Sequence, residues 1–239
     1  MYSSTGELTM PKYFVNEDLC LNKETEHHLK TVLRVKVGER VILCDGKNFD
    51  YHMKVSSTHP LKFELQNKVE CITEPLREIT LYQALPKSDK FEWITQKAVE
   101  LGVYEIVPIV TEHCDVKPNL NKLSRYQKIA EAAAGQSLRG IIPRIHAPIT
   151  FNEAIQTSRA SGGDILVAHE KAKLNLYRIN TSLANKIGLW IGPEGGFSQK
   201  EISIMEQEGF KTVSLGPRIL RTETAAIASI AIIQAAVIK

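Results

Sequence analysis

The sequence has no long uninterrupted apolar run. Its longest apolar stretch, from Ala225 to Val237, is broken by Ser229 and Gln234 and falls short of the roughly 20 apolar residues that a bilayer-spanning helix needs. The opening MYSSTGELTMPKYFV has neither the basic start nor the apolar segment of a secretory signal. A cytoplasmic protein with no membrane partner is expected. Cysteine is scarce: Cys20, Cys44, Cys71 and Cys114 lie far apart with no C-x-x-C pair. That spacing suggests neither a zinc site nor a disulfide framework, so buried free thiols and no metal are expected. There is little excess charge of either sign, with 30 Lys and Arg against 27 Asp and Glu and a net charge of +3. Such a balance permits a nucleic-acid partner without requiring one. Also missing are a Walker A loop, a G-x-G-x-x-G fingerprint, H-E-x-x-H and G-x-S-x-G. These absences argue against a phosphate-loop or dinucleotide enzyme, a zinc protease and an α/β-hydrolase.

What is present is an ordinary globular composition, 43% hydrophobic and 24% charged over 239 residues, enough for one large domain or two smaller ones. Residues 1–9 show no periodicity and read as an extension. From there to about Glu70 the chain reads as short strands: KYFV, a hairpin in GERVILCDGKNFDYHMKV turning at Asp45-Gly46, and LKFELQNKVE. One helix, TEHHLKTVLRV, interrupts them with Leu29, Val32 and Leu33 on one face. A small β-barrel with one helix is expected over residues 10–73.

After Thr73-Glu74-Pro75 the pattern changes to strands alternating with helices, from ITLYQAL onward to an Ala/Ile-rich C-terminal helix. That alternation implies a parallel sheet covered by helices over residues 74–239. Two apolar runs there lead directly into glycine-bearing turns, IGPEGGF and LGPRILRTETA. Turns of this kind gather at the carboxyl edge of a parallel sheet, where open α/β proteins bind ligands. Ser198 and Glu201 form a capping box that starts a helix just after the first turn. The C-terminal helix is apolar almost all round. It is therefore buried on every side, either at a homodimer interface or within the core of one subunit.

Taken together, KFEWITQKAVELGVYEIVPI, AAAGQSLRGIIPRI, IGPEGGFSQKE and LGPRILRTETA resemble the SPOUT methyltransferases, and within them the family that methylates N3 of a uridine in small-subunit ribosomal RNA. MPKYFV and HHLKTVLRVKVGERVILCDG are similar to that family's PUA-like barrel. The resemblance implies an α/β chain with an N-terminal PUA-like β-barrel and a C-terminal trefoil-knot methyltransferase domain. It implies S-adenosylmethionine as methyl donor, S-adenosylhomocysteine as product, 16S ribosomal RNA of the small subunit as substrate, and a homodimer. Three loops should hold the donor: Ala168 and His169 with Glu170; Ile191, Gly192, Pro193, Glu194, Gly195 and Gly196; and Leu215, Gly216, Ile219, Leu220 and Arg221, with Thr224 beyond.

Uracil N3 carries a proton at neutral pH, so its methylation needs a base or an anion-stabilising group. Arg221 and Arg139 are candidates to hold phosphate or the uracil anion, because guanidinium stays charged and forks onto oxygen pairs. Glu223 and Glu194 are the carboxylates nearest the motifs and candidate bases. Lys12, standing where the family more often has arginine, Arg34 and Arg139 are candidate RNA contacts. His27, His28, Lys36 and Arg40 read as a solvated surface. Lys87, Lys90 and Lys97 lie either on an RNA path or on a solvated face, and Trp93 reads as packing. A SPOUT enzyme acting on another RNA, such as transfer RNA, is the alternative within the same class. A catalytically silent RNA-binding protein is the alternative outside it.

Overall fold

The computed structural model describes residues 12–235 apart from residue 17. The extension read over residues 1–9, and Ala236 and Val237 of the last helix, lie outside the described residues. The chain forms two units: residues up to Glu74 together with Ala134–Ile142, and Pro75–Ala133 together with the chain from Pro143 onward.

The first unit contains β1 (Lys12–Phe14), α1 (Lys23–His27), β2 (Arg40–Cys44), β3 (Phe49–Thr58) and β4 (Leu61–Glu70). The strands form one sheet in the order β1-β2-β3-β4, with β1 parallel to β2 and the other pairs antiparallel. Asn22 starts α1 by accepting from Thr25 N at 2.7 Å, and the helix continues into one π turn at His28–Val32. Leu29 from that turn packs with Val35, Val41, Leu43, Met53 and Val55. The hairpin lies where the Asp-Gly pair placed it. Asp45 Oδ1 accepts from Lys47 N at 2.8 Å and from Phe49 N at 3.2 Å, and Gly46 takes the positive φ of 70° that the turn requires.

Ala134–Ile142 belongs with this sheet. Gly140 O accepts from Asn48 N at 3.0 Å, and Ile141 bridges Lys47. A Cβ at Gly140 would stand 2.6 Å from both Asn48 Oδ1 and Cys71 Cβ, so only glycine permits this approach. Thr73 Oγ1 donates to Leu138 O at 2.6 Å, and Leu138 itself holds φ 59°.

The second unit is a seven-stranded sheet in which every pairing is parallel. Along the chain its elements are β5 (Glu78–Ala84), α2 (Lys90–Glu100), β6 (Glu105–Val110), α3 (Leu123–Gln136), β7 (Arg144–Ile145), β8 (Ile149–Thr150), α4 (Phe151–Ser161), β9 (Asp164–Ala168), α5 (Leu176–Ile179), β10 (Lys186–Ile191), α6 (Gln199–Gln207), β11 (Lys211–Val213) and α7 (Thr222–Ala235). The strand order is β11-β9-β10-β5-β6-β7, with β8 also on β6. β5 and β10 lie side by side in the middle and are buried almost throughout, as strands covered on both faces must be.

Alternate residues divide the sheet between two layers. Tyr82, Val107, Val167 and Trp190 pack with Phe151, Ala154 and Ile155 of α4 and with Ile202 and Met205 of α6. Trp190 is fully buried, stacks on Tyr82 at 5.0 Å between centroids, meets Phe151 edge-on, and donates from its indole to Ser158 Oγ at 3.0 Å. Gln83 points the other way and donates to Thr222 Oγ1 of α7 at 3.0 Å. α4, which begins at a capping box between Thr150 and Glu153, was absent from the sequence reading.

The cysteine expectation needs one correction. Cys44 and Cys71 are buried free thiols, whereas Cys20 is exposed. Trp93 is likewise 46% exposed rather than packed. Among the described residues no helix is long and apolar enough to cross a membrane.

Candidate functional site

Three loops leave the carboxyl ends of β9, β10 and β11 and surround a cavity of about 420 Å³. Its walls include Ala168, His169 and Glu170 after β9, Ile191 to Phe197 after β10, and Leu215, Gly216, Arg218, Ile219, Leu220 and Arg221 after β11. Lys90, Thr222 and Ala225 complete it. Every donor-loop residue expected from the sequence therefore lines the cavity except Thr224, which is exposed and outside it.

The loops are tied together by backbone. His169 N donates to Val213 O at 2.9 Å, Ser214 N to Leu174 O at 2.7 Å, and Leu176 N to Ser214 O at 3.1 Å. Thr222 Oγ1 donates to Gly192 O at 2.6 Å while accepting from Gln83. One buried hydroxyl thus joins the first turn of α7, the glycine loop and β5. The sequence reading noted Thr222 beside the second glycine loop but gave it no place among the site residues; the structure makes it a tie between the loops.

The glycines have distinct reasons. A Cβ at Gly192 would come within 3.2 Å of the backbone of Gly196 and Phe197, and one at Gly195 within 3.1 Å of His113 Cβ. Gly196 has φ 70° and no atom where its Cβ would be. A side chain at Gly195 would therefore meet His113 first. The His113 ring holds this loop from behind, with Nδ1 at 3.1 Å from both Gly195 O and Gly196 O. Both partners are carbonyl acceptors, so that nitrogen carries the hydrogen. Next to it, Glu112 N donates at 2.8 Å to Glu201, the carboxylate of the capping box.

Glu194 accepts from Lys87 N at 3.2 Å and from Lys90 Nζ at 2.9 Å. Lys90 Nζ also lies 3.4 Å from Glu223 Oε2, a shielded atom for which this ion pair is the charged contact. Partial burial works to raise the Glu194 carboxyl, but the Lys90 bond and the backbone donors outweigh it and hold it below its ordinary value. The Glu194 bond in turn raises the Lys90 ammonium. Glu223 touches Lys90 at the cavity rim without lining the cavity itself.

The sequence-expected RNA contacts separate into two kinds. Arg34 is exposed, at φ 52°, beside the exposed Val32, Leu33 and Val37. Lys12 and Arg139 are not available in that way. Lys12 is 7% exposed, paired with Asp50 at 2.7 Å, and donates to Leu138 O at 3.1 Å. Burial pulls its ammonium down, and the Asp50 bond with the surrounding charges more than restores it, so the net shift is upward. Arg139 is 3% exposed and forks onto Glu74, with Nε at 3.2 Å and Nη2 at 2.7 Å. Glu74 also accepts from Gly140 N and Ile141 N. Arg139 therefore stands in the first unit as an anchor of the Ala134–Ile142 segment, which corrects its reading as an open phosphate contact. Among the described residues no group of three or more His, Cys, Asp or Glu side chains could hold a metal ion.

Comparison with known proteins places these features in a class. Residues 73–234 match a family model described as an RNA methyltransferase domain, and residues 21–66 one described as an RNA methyltransferase PUA domain. Relatives agree along nearly the whole chain. The ribosomal RNA small subunit methyltransferase E of Mesomycoplasma hyopneumoniae is 35% identical over 91% of this chain and 96% of its own. The crystal structure of the enzyme of that name from Neisseria gonorrhoeae, bound to S-adenosyl methionine, is 32% identical with a TM-score of 0.85, covering 95% of this chain and 97% of that one. A Legionella pneumophila methyltransferase in complex with the same cofactor is 31% identical with a TM-score of 0.84, covering 96% and 98%. The chain belongs to the ribosomal RNA small subunit methyltransferase E family.

Proposed function

We propose that the protein transfers the methyl group of S-adenosylmethionine to N3 of a uridine in 16S ribosomal RNA of the small subunit, releasing S-adenosylhomocysteine. The observation that carries this reading is the cavity itself: the three motif-bearing loops at the carboxyl edge of a parallel sheet converge on a single space. Two structural relatives carry the donor, the relatives' names give ribosomal RNA of the small subunit as substrate, and the uridine N3 rests on the motif resemblance.

In this reading Ala168, His169, Ile191, Gly192, Pro193, Glu194, Gly195, Gly196, Leu215, Gly216, Ile219, Leu220 and Arg221 form the donor site. The exposed Arg221 guanidinium at the rim stabilises negative charge on the uracil as N3 loses its proton. Glu223, whose one charged contact among the described residues is Lys90 at 3.4 Å, is a freer base than Glu194, which is held by both Lys90 and the Lys87 amide. Arg34 contributes an RNA contact from the first unit.

A knotted backbone is part of the reading. The pairing of Asn175 with Ser214 lays the segment after β9 across the end of β11, and the chain beyond then returns to Gly192 through Thr222. So is a cytoplasmic homodimer, in which the half-exposed Ile227, Ala228 and Ala231 of α7 are covered by a second copy.

The test is incubation with labelled S-adenosylmethionine and small ribosomal subunits lacking the modification, followed by mass spectrometry of the nucleosides. A single 3-methyluridine in 16S RNA is expected; label in transfer RNA instead would move the assignment to the alternative substrate. Arg221→Ala is expected to lower the methylation rate about 100-fold or more, the scale of losing one positioned charge-stabilising group. Donor affinity, measured by calorimetry, should change far less.

A further inference from the structure

The cavity has an apolar and glycine-lined interior, but one edge of its rim carries a fixed pair of opposite charges. Lys90 Nζ and Glu194 Oε1 are 2.9 Å apart, and each side chain is 31% exposed. Both are held from outside the cavity. Glu194 is fixed by the Lys87 amide, and Lys90 by Glu223. An ammonium has three donors; these two carboxylates leave one to face the cavity that Lys90 lines.

We infer that Lys90 and Glu194 form a clamp for a zwitterionic α-amino acid group, Lys90 taking its carboxylate and Glu194 its ammonium. The inference rests on the donor-site reading above and assigns the pair to the amino acid end of the donor. A cation and an anion side by side present the mirror image of an α-amino acid, whose own charges are separated by one carbon. Opening their mutual contact costs little, because a pair this exposed contributes on the order of 1 kcal/mol or less. The incoming zwitterion then replaces one ion pair by two. The neighbouring groups favour both charged forms: the Lys90 bond outweighs partial burial and keeps Glu194 ionised at neutral pH, and Glu194 keeps Lys90 protonated. Arg218 and Glu170 also lie on the cavity wall, but among the described residues no ion pair joins them, and Glu170 lies against His169 at 3.3 Å instead.

The test compares two neutral-sulfur ligands by calorimetry, S-adenosylhomocysteine and 5′-methylthioadenosine, which differ only in the amino acid end. The wild-type protein is expected to bind the former about tenfold or more tightly, the scale of one charge-assisted hydrogen bond. Lys90→Met and Glu194→Gln should each shrink that preference strongly while leaving methylthioadenosine affinity within about twofold. An undiminished preference in both variants overturns the clamp. Equal loss of both ligands overturns it too, because it makes the pair a support for the loop. Failure of the wild-type protein to bind either ligand refutes the donor-site reading instead.

Discussion

At the scale of single residues, similar side chains do different work because of what surrounds them. Lys12 and Lys90 both pair with carboxylates, yet Lys12 is closed off beneath Leu138 while Lys90 faces a cavity. The cysteines separate in the same way. Burial pushes the Cys44 thiol from 9.0 up to about 12, against a lowering contribution from the Gly46 amide. Cys44 is therefore a neutral thiol at neutral pH, and the exposed Cys20 is expected to take alkylating reagents first, read by peptide mass mapping. The sign on the alkaline side follows. A thiol pKa raised on folding gives a contribution to stability that is whole below 9.0 and is lost as pH rises toward 12. Denaturant midpoints measured across that window should fall, and fall less for Cys44→Ala relative to its own neutral-pH value. Gly195→Val is expected to weaken donor binding by pushing against His113. If so, the double variant with His113→Ala recovers part of the affinity in calorimetry. No recovery would mean that the side chain acts by intruding on the ligand instead.

At the scale of elements, the sheet's middle strands carry most of the hydrophobic core. Trp190 contacts Tyr82, Phe151, Phe197 and Phe210, so Trp190→Ala should cost about 3–5 kcal/mol, read as a lower denaturant midpoint. Elements with a strong period or a named turn were legible in the sequence: β4 over LKFELQNKVE, the hairpin at Asp45-Gly46 and the start of α6 at Ser198 all stand where the pattern put them. β7 and β8 were not, because two residues carry no periodicity. α4 was legible in principle, since Thr150 and Glu153 form the same box as Ser198 and Glu201. Two of the three cavity loops were legible because glycines follow apolar strands, whereas the first, at Ala168 to Glu170, followed only from the family resemblance. The burial of Lys12 and Arg139 was not, because their partners Asp50 and Glu74 are distant in sequence. Nothing in a lone charged residue announces a partner of that kind.

At the scale of the whole molecule, the first unit is assembled from two stretches of chain. Residues 1–74 expressed alone lack Gly140 and Leu138, the acceptors for Asn48 N, Cys44 Sγ, Thr73 Oγ1 and Lys12 Nζ. That fragment is expected to show a broad, uncooperative thermal transition by circular dichroism, and added Ala134–Ile142 peptide should sharpen it. An unaided cooperative transition would show that the second stretch is dispensable. The same arrangement bears on how such a chain is inherited. The backbone passes between the units after Glu74, after Ala133 and after Ile142. A crossover between two related genes near the first of these points would therefore take the hairpin from one parent and its glycine neighbour from the other. With a Cβ at Gly140 only 2.6 Å from Asn48 and Cys71, such hybrids are expected to fold poorly unless both parents agree there. The two units are therefore expected to be inherited as one block.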